Sequence, residues 1–66
     1  MIEVTRMNGM RLTVNDALIL TVEETPDTLL TFTSGQKLLV KESRQEIVDL
    51  VKSFRRELLA GPRADA

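Results

Sequence analysis

The chain has no cysteine, no histidine, no tryptophan and no tyrosine. Each absence removes a class of chemistry. Without cysteine there is no disulfide, no thiolate nucleophile and no cysteine-based zinc site. Without histidine the commonest metal ligand and the commonest general base are missing. Two phenylalanines are the only aromatics, too few to stack the bases of a single strand. No apolar run approaches the roughly 18 residues that a membrane-spanning helix needs. The opening Met1-Ile2-Glu3-Val4-Thr5-Arg6 lacks the apolar region of a signal peptide, so the expected compartment is the cytoplasm. Nine basic residues face ten acidic ones, which argues against a module that binds by neutralising phosphates.

What remains is a 66-residue chain, enough for one domain, expected over residues 1–60 with a disordered tail over 61–66. A core of this size supplies about 3–5 kcal/mol, and small domains often add a disulfide, a metal or a partner. The first two have no residues to build them, so association with another subunit or a larger assembly is the expected support.

The stretch Thr28 to Val40 organises the rest. Two strand-type arms flank Ser34-Gly35. A three-residue loop, Thr33-Ser34-Gly35, with Gly35 left-handed, pairs Phe32 with Gln36, Leu30 with Leu38 and Thr28 with Val40. One face then carries Leu30, Phe32, Leu38 and Val40. The other carries Leu29 opposite Leu39, with Thr31 and Lys37. That second face is too apolar to stand in water uncovered, so a helix or a partner is expected over it.

Earlier in the chain, Ile2 to Arg6 alternates as a half-buried strand. A bulged Met7-Asn8-Gly9 loop pairs Arg6 with Met10, Val4 with Leu12 and Ile2 with Val14. A two-residue loop would set Arg6 against Arg11, a destabilising like-charge pair. Asn15-Asp16 starts a turn. The third strand, Leu18 to Glu23, alternates into two apolar faces, Ile19 against Leu18, Leu20 and Val22, which points to a central or doubly covered strand. Thr25-Pro26-Asp27 is the next turn.

Ser43 and Glu46 have the spacing of a capping box. The helix they open aligns Ile47, Leu50, Val51, Phe54 and Leu58 in one stripe. Glu46, Asp49 and Glu57 flank it on one side. Arg44, Lys52, Arg55 and Arg56 flank it on the other, interleaved with Val48 and Leu59. Gly61-Pro62 is the expected stop. The fold class is therefore β-rich α+β: about five short antiparallel strands in hairpins, as a bent sheet or small open barrel, followed by one C-terminal helix.

No catalytic constellation emerges. Glu23 and Glu24 are neighbours, so on a strand they point to opposite faces. Ser43 has no histidine to activate it and is explained as a cap. Lys37 and Lys41 fit the role of edge-strand lysines. The three glycines do not form a phosphate loop. The expectation is no enzyme, no cofactor and no metal. The candidate partner interface is Leu29, Leu39, Val48, Lys52, Arg55 and Leu59.

Several segments in order resemble the small FlbD/SwrD flagellar proteins. They are Ile2-Glu3-Val4-Thr5-Arg6 with Asn8-Gly9, Glu23-Glu24-Thr25-Pro26-Asp27-Thr28, Gly35-x-Lys37, and Val40-Lys41-Glu42-Ser43 with Glu46-Ile47. The resemblance implies a non-enzymatic motility accessory. Its SwrD branch is associated with flagellar power, supporting motor torque by helping stator units engage. The implied partner is a flagellar motor or stator protein, met in the cytoplasm at the motor face. The family offers no catalytic or ligand residues to carry over. A different resemblance, to CsrA carbon-storage regulators, rests on Val4-Thr5-Arg6 and Arg44-Gln45-Glu46-Ile47. It would make Arg6 and Arg44 RNA contacts, but the chain lacks that family's Gly-Glu-Ser turn and Ala-Pro segment. A homo-oligomer joined by sheet edges or by the Val48/Leu59 flank is the third possibility.

Overall fold

The computed structural model describes residues 1–60. Five strands precede one helix: β1 (Ile2–Thr5), β2 (Arg11–Val14), β3 (Ile19–Glu24), β4 (Thr28–Phe32), β5 (Lys37–Val40) and α1 (Arg44–Ala60), with a 3₁₀ turn at Asp16–Leu18. The strands form two antiparallel sheets, β1-β2 and β3-β4-β5. The sheets meet at one corner, where Arg6 bridges Val40 and the Lys41 N–H donates to the Thr5 carbonyl at 2.8 Å. They bend toward each other without closing into a barrel. The helix stop expected at Gly61-Pro62 and the expected tail lie outside the described residues.

Both hairpins take the bulged register. Ile2 faces Val14 and Val4 faces Leu12; Thr28 faces Val40 and Leu30 faces Leu38. In each loop the glycine is left-handed, with φ of 92° at Gly9 and 95° at Gly35, a region open to glycine because it has no Cβ. Each glycine N–H closes the loop at 2.8 Å, Gly9 onto Arg6 and Gly35 onto Phe32. Loop length thereby sets register, and register sets the buried face. The core is Ile2, Val4, Val14, Leu30, Val40 and Ile47, with Leu12, Ile19, Val22, Phe32, Leu38, Leu50, Val51 and Phe54 packed around it.

The third strand departs from strict alternation. Leu18 belongs to the 3₁₀ turn rather than to β3. Pairing steps from Ile19↔Phe32 to Thr21↔Thr31, so two residues of β3 span one step of β4. This bulge makes Leu20 the extra residue and reverses the phase after it. Ile19 and Val22 both pack on the core, while Leu20 is 65% exposed. Nor is β3 central: it is an edge strand, paired with β4 alone.

The helix begins as its sequence indicates. The Ser43 N–H donates to Glu46 Oε1 at 2.7 Å, and the Glu46 N–H donates to Ser43 Oγ at 3.1 Å. Ile47, the first apolar residue of the stripe, is 1% exposed. Leu50, Val51 and Phe54 are half-buried. Leu58, expected in the same stripe, is 62% exposed because the last turns have no strand beneath them. The helix takes the core face of β3-β4-β5, so the face bearing Leu29 and Leu39 is not covered by it.

Candidate functional site

The carboxylates near the helix start are engaged in holding the fold. Glu42 lies at the corner between the sheets. Its Oε1 accepts from the Thr5 N–H at 2.9 Å and its Oε2 from the Thr5 hydroxyl at 2.8 Å. Burial pushes the Glu42 carboxyl up, but the bonds from Thr5 outweigh it and the acid sits below its ordinary value. Glu24, at the end of β3, accepts from the Arg44 N–H at 2.8 Å, one of the unpaired donors that open a helix. Thr5, Glu24, Glu42, Ser43 and Glu46 thus form a structural clasp joining β1, β3 and α1.

Asp16 is a second anchor, with its side chain 3% exposed. The α-ammonium of Met1 donates to its Oδ1 at 2.8 Å, and Arg55 Nε donates to its Oδ2 at 3.4 Å. The bond from the Met1 ammonium, opposed by burial, holds the Asp16 carboxyl below its ordinary value. This pair ties the later turns of α1 to the turn before β3. Nothing local in the sequence marks Asp16 as buried, since its partners are Met1 and Arg55.

The six interface candidates fall on two surfaces. Leu29 and Leu39 are cross-strand partners on the outer sheet face, with Leu39 exposed and Leu29 half-buried. Val48, Lys52, Arg55 and Leu59 recur at helical spacing along one outward line of α1. Val48, Lys52 and Arg55 border a hollow beside β3 together with Leu20. Leu59, 89% exposed, borders a separate apolar hollow with Met1, Ala17, Phe54, Arg55 and Leu58. Arg55 belongs to both. Alternation along β3 concealed Leu20, and the expected burial of Leu58 concealed its place on this surface.

Arg6 and Arg44 occupy different settings. Arg6 lines a groove between the hairpins with Leu12, Phe32, Lys37 and Leu38. Arg44 opens the helix, its N–H held by Glu24. Among the described residues no group of three or more acidic residues is placed to hold a metal ion, and no helix is long and apolar enough to cross a membrane.

The family model FlbD, flagellar and swarming motility proteins, matches residues 1–59. The chain belongs to the FlbD family. Membership associates it with flagellar and swarming motility. No curated protein and no solved structure gives a significant match. Three of the four segments that resemble FlbD proteins contribute to the clasp, Thr5 from the first, Glu24 from the second, and Glu42, Ser43 and Glu46 from the last, while Gly35-x-Lys37 lies at the second hairpin loop. The outward line of α1 through Val48, Lys52, Arg55 and Leu59 also lies within the FlbD match.

Proposed function

We propose that this FlbD protein is a non-enzymatic accessory of the flagellar motor. It supports torque by helping stator units engage, as a small protein-interaction module at the cytoplasmic face of the motor. The observation that carries the reading is the family match across residues 1–59, joined to a helix whose outward line presents Val48, Lys52, Arg55 and Leu59. That line combines exposed aliphatic area at Leu59 with Arg55, and arginine is enriched at protein interfaces. The non-enzymatic part is supported by the use of Glu24, Glu42, Ser43 and Glu46 in backbone hydrogen bonds, a structural role that accounts for these side chains without catalysis.

The test is deletion of the gene in its host, with filaments counted per cell and torque measured on single tethered motors. Normal filament number with lowered torque is the expected result. Fewer filaments at normal torque per motor would move the function to assembly or expression, and unchanged motility would remove the reading.

A further inference from the structure

The open edge of β3 and the outward line of α1 lie side by side. The Phe32 N–H donates to the Gln36 carbonyl at 2.8 Å, which sets the phase of β4: Phe32, Leu30 and Thr28 bond toward β5, and Leu29 and Thr31 bond toward β3. Their partners Glu23 and Thr21 therefore bond inward. The backbone N–H and C=O groups of Val22 and Glu24 point to the open edge, and no other described strand pairs there. An edge strand in this state is a template for another strand.

The helix runs along this edge. Arg44, bonded to Glu24, fixes its start at one end of β3, and Arg55, bonded to Asp16, places its later turns at the other. Between them is a hollow of about 270 Å³ bordered by Leu20, Val22, Val48, Val51, Lys52 and Arg55. Its one carboxylate, Asp16, is already bonded to Met1 and Arg55. Lys52 has no ion-pair partner among the described residues. The hollow thus offers unpaired backbone groups, aliphatic surface and one cation free among the described residues, Lys52. Of the two acids on the edge itself, Glu24 is held on the Arg44 N–H, and Glu23, opposite Leu29, lies on the outer sheet face away from the helix.

We propose that β3 and the Val48–Lys52 part of α1 receive a short extended segment of the motor partner, acidic and aliphatic in composition, added as a further strand along residues 21–24. This rests on the motor-accessory reading and names the partner's chemistry and the mode of contact. Backbone bonds to the edge supply affinity and the flanking side chains supply choice, as in strand addition generally. The bulge at Leu20 bounds the usable edge, so the segment is short. A second copy of the chain is the poorer occupant. Two-fold antiparallel pairing of β3 with itself, Val22 against Glu24, would set Glu23 directly opposite Glu23, and like charges directly opposite are destabilising.

The test places a photo-crosslinking benzoylphenylalanine at Leu20, and separately at Leu59, in host cells whose wild-type gene is replaced, and sequences the crosslinked peptides. The expected result is a crosslink from Leu20 to one acidic, aliphatic segment of a motor protein. Lys52→Glu should lower its yield roughly tenfold, the effect of reversing one interfacial charge, and Lys in place of an acid in that segment should restore it. A crosslink from Leu20 to a second copy, to RNA or to a basic segment would overturn the proposal. If Leu20 gives no crosslink while Leu59 reaches a motor protein, this site is wrong and the motor reading stands. If neither position reaches a motor protein and deletion leaves torque unchanged, both are wrong.

Discussion

The early and late turns of α1 carry aliphatic residues at the same spacing, yet they meet different surroundings. Ile47 is 1% exposed in the early turns, while Leu58 in the late turns is 62% exposed. The early turns are held by Ser43, Glu46 and Glu24 and rest on both sheets. The late turns are held to the rest of the described chain by the Arg55 bond to Asp16, with Phe54 half-buried beneath. Periodicity in a sequence states which side of a helix is apolar. It does not state how far the surface beneath extends, and here the strands end before the stripe does. The early turns bury their aliphatic residues in the core, and those of the late turns are left uncovered by the described residues.

The sharpest way to break this comparison is to truncate the same stripe at both ends. Ile47→Ala should cost about 2–5 kcal/mol. That rivals the whole ~3–5 kcal/mol a core of this size supplies, so urea unfolding should find little native protein. Leu58→Ala should stay within about 0.5 kcal/mol. Equal losses would mean that the late turns are packed after all.

The clasp gives the next effect. Glu42→Gln should cost about 1–3 kcal/mol, since Thr5 loses a charged acceptor for two donors. Its pH signature follows from the depressed acid. The stabilisation is fully present above the ordinary value of 4.5 and is lost as pH falls through the lower folded value. Asp16, depressed from 3.8, acts with the same sign. Wild-type stability should therefore decline on acidification, and part of that slope should vanish in the Glu42→Gln variant.

A smaller contrast uses serine. Ser43→Ala removes the cap and should cost about 1 kcal/mol. Ser53→Ala, at an exposed site of the same helix, should be neutral or stabilising by a few tenths of a kcal/mol, because alanine is the better helix former. Thermal unfolding of the two variants would separate capping from propensity.

The smallest effect on stability should accompany the largest on motility. Leu59→Asp should change unfolding by less than about 0.5 kcal/mol, and Val48→Asp by more because Val48 is half-buried. Both should lower motor torque with the fold intact by circular dichroism. If both unfold the isolated protein, these residues belong to the core and the docking surface lies elsewhere.

Much of this fold is legible along the chain because its deciding features are local. The glycines at the hairpin loops settle both registers, and with them the burial of Ile2, Val4, Leu30 and Val40. The Ser43–Glu46 box lies within one turn. The features that escape are those set by distant partners. Glu42 reads as an exposed acid until Thr5, 37 residues away, is brought to it. Asp16 reads as a turn residue until Arg55, 39 residues away, reaches it. Leu20 reads as part of an alternating strand until β4 shows the bulge. The candidate surface was legible as a set of side chains and not as an arrangement: Leu29 and Leu39 proved to lie on a different face from Val48, Lys52, Arg55 and Leu59.

By itself the sequence determined the five strands, the two hairpin registers, the start and polarity of the helix, and the classes of chemistry its composition excludes. Those follow from turn stereochemistry, side-chain period and residue inventory, which act over a few residues. Only the tertiary structure decided that β3 is an open edge, that its bulge turns Leu20 outward, that α1 covers the inner face and leaves Leu29 and Leu39 outside, and that the helix outruns its sheets. Each of these depends on which surfaces meet after the chain has folded, and burial is a property of the meeting rather than of the residue.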